Sequence, residues 1–153
     1  MSVEAPSKEI VLELNRFLKG IQMGIEAFEN LQHKANDNSL KQCFLQVQAT
    51  YLSHSNILRE RIEQLGGVPK EGLGITGKLS EIYEKLKNLT VNSDEEVISE
   101  AYKACKTGFT MGDRFIEDNH NLDPASKRII ETIVEDNKNL AQLFLNKTSE
   151  NKF

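Results

Sequence analysis

Apolar residues recur every three or four positions along four long stretches of the chain, which is the spacing of one face of an α-helix. The four stripes are Val11, Leu14, Leu18, Ile21, Ile25 and Phe28; Leu40, Phe44, Val47, Tyr51, His54, Leu58, Ile62 and Leu65; Ile98, Ala101, Cys105, Gly108, Gly112 and Phe115; and Ile130, Ile133, Asn137, Leu140 and Phe144. Polar residues fill the positions between them. The pattern predicts four amphipathic helices that pack their stripes against one another.

Residues that start and stop helices bound these stretches. Ser7, Ser39, Ser93 and Asp123 each stand at the beginning of a stripe, where a side-chain oxygen can accept a hydrogen bond from a free backbone amide. The glycine pair at 66–67 stops the second helix, because glycine adopts the left-handed conformation that closes a helix. These signals predict helices at about 8–35, 39–65, 94–119 and 124–147.

The connection between the second and third helices is too long for a hairpin. It contains Leu79, Ile82, Leu86 and Leu89, which predict a short extra helix over about 77–89. A short turn, a long crossover and another short turn place the second and third helices parallel, which is the connectivity of ferritin-like bundles. We therefore predict an all-α, ferritin-like four-helix bundle with a long crossover, formed as a single domain over 1–153.

Composition narrows the class of protein. The chain has 153 residues, of which 39% are hydrophobic and 27% charged, as in a globular domain. Its 19 Lys and Arg against 23 Asp and Glu give a net charge of -4, and without a basic tail this disfavours nucleic acid as a partner. The sequence contains neither a secretion signal nor a membrane-length apolar run, so we expect a cytoplasmic protein without a membrane partner. Cys43 and Cys105 lie too far apart for a dithiol motif and are interpreted as buried small hydrophobic residues.

Several segments carry a family resemblance, namely Gly24 to Phe28, Leu40 to Phe44, Leu65 to Pro69, Gly77 to Leu79 and the acidic start of the third helix. Through their order and spacing, the chain from about 10 to 147 resembles a bacterial family of small ferritin-like four-helix proteins of unknown function, distantly related to rubrerythrin and bacterioferritin. The resemblance implies a structural or interaction role in stress or storage physiology. It also implies a homo-oligomer, such as a dimer, or another protein partner.

Metal-binding ferritin-like proteins place a Glu on each of two helices and a Glu-x-x-His pair on each of the other two. The histidines of this chain are His33, His54 and His120, and only the last has a glutamate, Glu117, three positions earlier. That pair lies at the end of the third helix, where we interpret it as a solvated helix end. Since the usual ligand set is missing, we predict a non-enzymatic protein with no catalytic residues and no cofactor.

His54 has two possible interpretations, because the periodicity places it in the apolar stripe near the middle of the second helix. It is either a core histidine that hydrogen-bonds to Tyr51, Asn137 or a water, or one ligand of a depleted metal site. Glu26 and Asp136 are the carboxylates at a similar depth that would complete such a site. In that case the protein is an iron-binding or di-iron carboxylate protein with an atypical ligand set, in which Glu117 and His120 are further candidate ligands, and iron is its cofactor.

Overall fold

A computed structural model describes residues 4–70, 81, 84–85, 88 and 90–150, with side chains from residue 8 to residue 148 of those ranges. The described part of the chain contains four long helices: α1 (Glu4–Lys34), α2 (Asn38–Gln64), α3 (Asp94–Asp118) and α4 (Pro124–Glu150). No strand is present in the described ranges. The prediction of an all-α four-helix bundle is confirmed.

Hydrogen bonds between helix ends establish the directions of the helices. The backbone amide of Asp37, at the start of α2, donates to the Asp94 carboxylate at the start of α3 across 2.9 Å, so these two helices run parallel. The guanidinium of Arg61, near the end of α2, lies 2.6 Å from the carboxylate of Asp123, just before α4. Each hairpin packs closely, and α2 also contacts α4 while α1 contacts α3. The long crossover therefore joins two antiparallel hairpins, as predicted.

The predicted stripes form the core, which centres on the aromatic rings of Phe28, Phe44 and Phe144 with centroids 5.2 to 6.4 Å apart. The stripe of α1 needs correction, because Val11 and Ile25 are only half-buried. This helix packs against two neighbours, and its buried face accordingly extends to residues outside the predicted stripe, including Ile10, Met23 and Ala27. In the part of the chain that the structure describes, no helix is both long and apolar enough to cross a membrane.

Two predicted helix starts are wrong. The first helix begins at Glu4, so Ser7 lies inside it, and Pro6 is tolerated because the first turn leaves its amides unpaired in any case. The second helix is capped by Asp37 rather than Ser39, since the Asp37 carboxylate accepts from the Leu40 amide at 3.0 Å. Hydrogen bonds from the Ser39 hydroxyl and the Leu40 amide lower the pKa of Asp37 below its usual value.

The predicted starts of α3 and α4 agree with the structure, and α1, α2 and α3 end within one residue of their predicted ends, whereas α4 continues to Glu150 instead of ending at 147. Ser93 Oγ accepts from the Glu96 amide at 3.2 Å, although the Glu96 carboxylate reaches back to the amide of Asn92 rather than to that of Ser93. Asp123 accepts from the Ser126 amide at 3.0 Å, as an N-capping side chain does. Gly66, with a φ of 83°, ends α2 in a left-handed conformation. Hydrogen bonds back to the last turn then close the helix.

The crossover begins with an anchor that the periodicity does not reveal. Asn15, buried on α1, donates to the carbonyl of Val68 at 3.2 Å and accepts from the amide of Lys70 at 2.7 Å. The Asn15 side chain thus provides hydrogen-bond partners for backbone groups that follow the end of α2 and have no partner within a helix. Most of the extra helix predicted over 77–89 lies outside the described residues, and it stays a prediction.

Candidate functional site

The middle of the bundle holds a cavity of about 80 Å³, lined mainly by apolar side chains. Residues of α1 and α3 form most of its wall, among them Gly20, Gly24 and Met111. Tyr51 and His54 of α2, together with Asn137 of α4, also line it and supply polar groups. The polar side chains of the predicted α2 and α4 stripes therefore lie together at this cavity.

Tyr51 and Asn137 join α2 to α4 at this depth. The Tyr51 hydroxyl donates to Asn137 Oδ1, and Asn137 Nδ2 donates to the carbonyl of Ile133 at 3.0 Å. Burial, with a smaller contribution from the nearby Cys105 thiol, raises the pKa of Tyr51 well above its usual value. The phenol therefore stays protonated and serves as a hydrogen-bond donor over the ordinary pH range.

Two glycines provide the space for this hydrogen bond. A Cβ atom on Gly24 would lie 2.8 Å from a ring carbon of Tyr51, and one on Gly108 would lie 2.8 Å from Asn137 Oδ1. At Gly112 a Cβ would come within 2.4 Å of a Val134 methyl carbon. Gly108 and Gly112 thus allow α4 to approach α3 closely.

His54 is 3% exposed and bonds to Asp136 rather than to Tyr51 or Asn137. Its Nε2 lies 2.7 Å from Asp136 Oδ2, while its Nδ1 is buried and has no hydrogen-bond partner among the residues that the structure describes. The Asp136 side chain is 38% exposed, so the pair connects the core to the surface of α4. When Nε2 donates its proton to the carboxylate, Nδ1 of the neutral ring is left as an acceptor.

The structure thus brings together two of the three predicted metal-ligand candidates, His54 and Asp136, whereas Glu26 lies on the exposed surface of α1. Glu117 and His120 are exposed at the end of α3 and in the turn after it, as expected of a solvated helix end. Among the described residues, no three His, Cys, Asp or Glu side chains are grouped so that they could hold a metal ion. The metal site of Glu26, His54 and Asp136 stays a prediction.

Both cysteines are buried, as predicted. Burial raises the pKa of the Cys105 thiol to about 12, so at neutral pH it is a small apolar group rather than a nucleophilic thiolate.

A groove on the outer surface between α1 and α3 adjoins the cavity, and sequence reasoning missed it. Its volume is about 590 Å³. Phe17, Thr107 and Met111 line both spaces. Charged side chains also line the groove, namely Glu13, Arg16, Lys103, Lys106, Arg114 and Asp118. The available signal was the spacing of Lys103, Lys106 and Arg114 on α3, three and eight positions apart, which places them along one side of that helix.

Comparison with known families gives one match. A family model described as a domain of unknown function (DUF2383) matches residues 9–118. No protein with a curated description matches the chain.

Solved structures match the fold at low sequence identity. A two-domain protein from Anabaena variabilis with DJ-1/ThiJ/PfpI-like and ferritin-like domains matches 95% of this chain with a TM-score of 0.76 and 22% identity. The match covers 40% of that longer chain. A ferritin-like, diiron-carboxylate protein from Bacillus anthracis has a TM-score of 0.70 and 19% identity, with 97% of this chain and 99% of that chain covered. A dodecameric thioferritin from Bacteroides fragilis has a TM-score of 0.72 and 13% identity, with 95% and 89% covered. These similarities confirm the ferritin-like fold.

Proposed function

Because this chain belongs to the family described as a domain of unknown function (DUF2383), whose model spans most of it, we propose that it is a non-enzymatic ferritin-like bundle that acts by associating with protein, first of all with itself. The finer predictions of a cytoplasmic location and a role in stress physiology belong to the same proposal.

The observation that carries this proposal is the hydrogen bond between Tyr51 and Asn137 at the centre of the bundle. Metal-binding ferritin-like proteins direct carboxylates and histidines into this interior. Here a phenol and an amide are already bonded to each other, and the carboxylate of Asp136 is bonded to His54. The di-iron sites of this fold take a glutamate from each of the four helices, and these central side chains do not fit that pattern. The central side chains are instead suited to fixing α2 against α4.

Exposed leucines on α2 support self-association. Leu45 and Leu52 are 48% and 54% exposed. They lie two helical turns apart, so they share one outer face of the helix. The thioferritin of the same fold from Bacteroides fragilis is described as dodecameric. We therefore assign a second copy of this chain as the partner of the α2 face.

The oligomeric state tests this assignment. Size-exclusion chromatography with light scattering at rising protein concentration should show a dimer or larger assembly, and Leu52→Lys should shift it toward monomer. Leu12→Lys places the same charge on an exposed leucine of α1 and should leave the assembly intact. A protein that remains monomeric at every concentration would contradict self-association.

Iron binding with an atypical ligand set is the second candidate function, and one observation favours it. His54 presents one ring nitrogen to a carboxylate, and its other ring nitrogen has no partner in the described ranges of the chain, which is how many metal-bound histidines are oriented. His54, Asp136 and Glu26 would be the residues concerned.

An anaerobic Fe(II) titration of protein purified without chelators separates the two functions. The main proposal expects no iron uptake above background. Stoichiometric uptake that disappears in His54→Ala, but persists in the control His33→Ala on the exposed end of α1, would favour iron binding instead.

A further inference from the structure

The central cavity has the properties of an apolar ligand site. Of the neighbouring helix pairs, α1 and α3 make the least contact, and small residues such as Gly20, Ala104 and Gly108 line the space between them. A single water needs only about 10–15 Å³ of such space, and apolar walls offer water few hydrogen-bond partners. A cavity of about 80 Å³ with mainly apolar walls therefore suits a hydrocarbon group better than a water cluster.

This cavity and the outer groove lie next to each other on the α1–α3 side. Phe17 from α1 and Thr107 and Met111 from α3 line both spaces. An elongated molecule could therefore place one end between the helices while its other end stays in the groove. The site is thus apolar at its inner end and charged at its outer end.

The charge of the groove points to an anion. Arg16 is paired with Glu13 at 2.7 Å, and Lys103 with Glu100 at 3.3 Å. Lys106 and Arg114 line the groove without an ion pair to any residue that the structure describes. With Arg16, Lys103, Lys106 and Arg114 against Glu13 and Asp118, the lining of the groove carries more positive than negative charge, although the net charge of the chain is -4.

We propose that the α1–α3 side binds a free amphipathic carboxylic acid of medium chain length. The hydrocarbon chain lies in the cavity beside Gly20, and the carboxylate lies in the groove, where Lys106 and Arg114 bind it. The inner end is stabilised by burial of apolar surface, and the outer end by charge-assisted hydrogen bonds. This ligand site is distinct from the α2 face to which self-association is assigned.

Isothermal titration calorimetry with octanoate tests the proposal. Saturable binding of octanoate is expected, with much weaker binding of acetate, which lacks the chain, and of octanol, which lacks the charge. The double variant Lys106→Gln/Arg114→Gln should bind octanoate at least about tenfold more weakly, since it removes both cations and leaves only neutral hydrogen-bond donors. The control Lys41→Gln/Lys127→Gln removes the same charge from exposed positions on α2 and α4 and should bind like the unsubstituted chain.

A cavity variant tests the other end of the site. In Gly20→Ala the new Cβ would meet only a Met111 methyl carbon, at an ordinary 3.8 Å, so the variant should fold while its cavity is narrower. Octanoate binding should weaken in this variant while its net charge is unchanged. Absence of saturable octanoate binding would overturn the proposal, and so would equal losses in the two double variants.

Discussion

The two inter-hairpin sides of the bundle are built differently. On the α2–α4 side, polar bonds recur along the interface: Tyr51 to Asn137, His54 to Asp136, Arg61 to Asp123 and Ser126, and Lys147 to Ser39. On the α1–α3 side, the rings of Phe17 and Phe115 pack edge to face at 5.4 Å, and an open apolar space follows. Directional hydrogen bonds thus fix the α2–α4 interface, whereas the α1–α3 interface contains unfilled space.

The two interfaces therefore have different roles in this fold, one in setting helix register and the other in leaving space for a ligand. A buried hydrogen bond is satisfied in only one relative placement of two helices, so the α2–α4 side sets their register. Apolar contacts are non-directional, and small residues on the α1–α3 side leave a volume that no side chain fills. The bundle therefore owes its unique arrangement mainly to one interface and its capacity for a ligand to the other.

The largest effect is expected from removal of the central hydrogen bond of the α2–α4 side. Asn137→Ala leaves the buried Tyr51 hydroxyl without its acceptor and opens a void, and we expect it to lower the free energy of unfolding by about 3 kcal/mol. Urea denaturation followed by circular dichroism measures the change. Asn139→Ala, an exposed change on the same helix, should alter stability by at most about 0.5 kcal/mol. Equal losses would show that the central bond has no special role.

Two glycine-to-alanine substitutions are expected to change the stability of the protein in opposite directions. Gly108→Ala places a Cβ 2.8 Å from Asn137 Oδ1. It should therefore destabilise the protein by about 1–2 kcal/mol despite the better helix propensity of alanine. Gly20→Ala faces the open side and should stabilise it by about 0.5–1 kcal/mol. Thermal unfolding of the two variants in parallel checks the signs. Stabilisation by Gly108→Ala would mean that Asn137 is free to move.

The smallest expected effect is a loss of stability at low pH, which comes from Asp123 at one end of the α2–α4 side. Partial burial acts to raise the pKa of Asp123, but hydrogen bonds from Ser126 and Arg61 more than offset it and hold the pKa below its ordinary value of 3.8. A carboxyl whose pKa is lowered by folding stabilises the protein above its unfolded pKa, and this stabilisation is lost as the pH falls through the folded pKa.

Asp123→Asn keeps a capping side chain but cannot ionise, so it should be less stable at pH 7 by about 0.5–1 kcal/mol. Its stability should then approach that of the unsubstituted chain below pH 3.8. Unfolding measured between pH 7 and about pH 2.5 tests this convergence, and a constant gap across that range would contradict it.

The sequence predicted the fold well because its signals are local. The Tyr51 and His54 positions follow from helical spacing, and the end of α2 follows from Gly66. The start of α2 was missed because Asp37 and Ser39 are both good caps, and only the backbone conformation decides between them.

The candidate site was predicted only in part. Periodicity placed His54 and Asn137 in the interior, but it does not fix the rotation of α4 closely enough to choose between their partners. In the folded chain His54 bonds to Asp136 and Asn137 to Tyr51. The groove was missed for a related reason, because its walls belong to helices distant in the chain, and only their packing shows that α1 and α3 leave a space between them.

The carboxylate of Asp94 accepts from the amides of Asn36 and Asp37, at 2.8 and 2.9 Å. The loop joining the first hairpin is therefore completed by a residue of the second half of the chain, so the hairpin cannot finish its own hydrogen bonding before that half has docked. In a hydrogen-exchange experiment, these two amide protons should become protected only with the globally folded molecule and so report on its cooperativity.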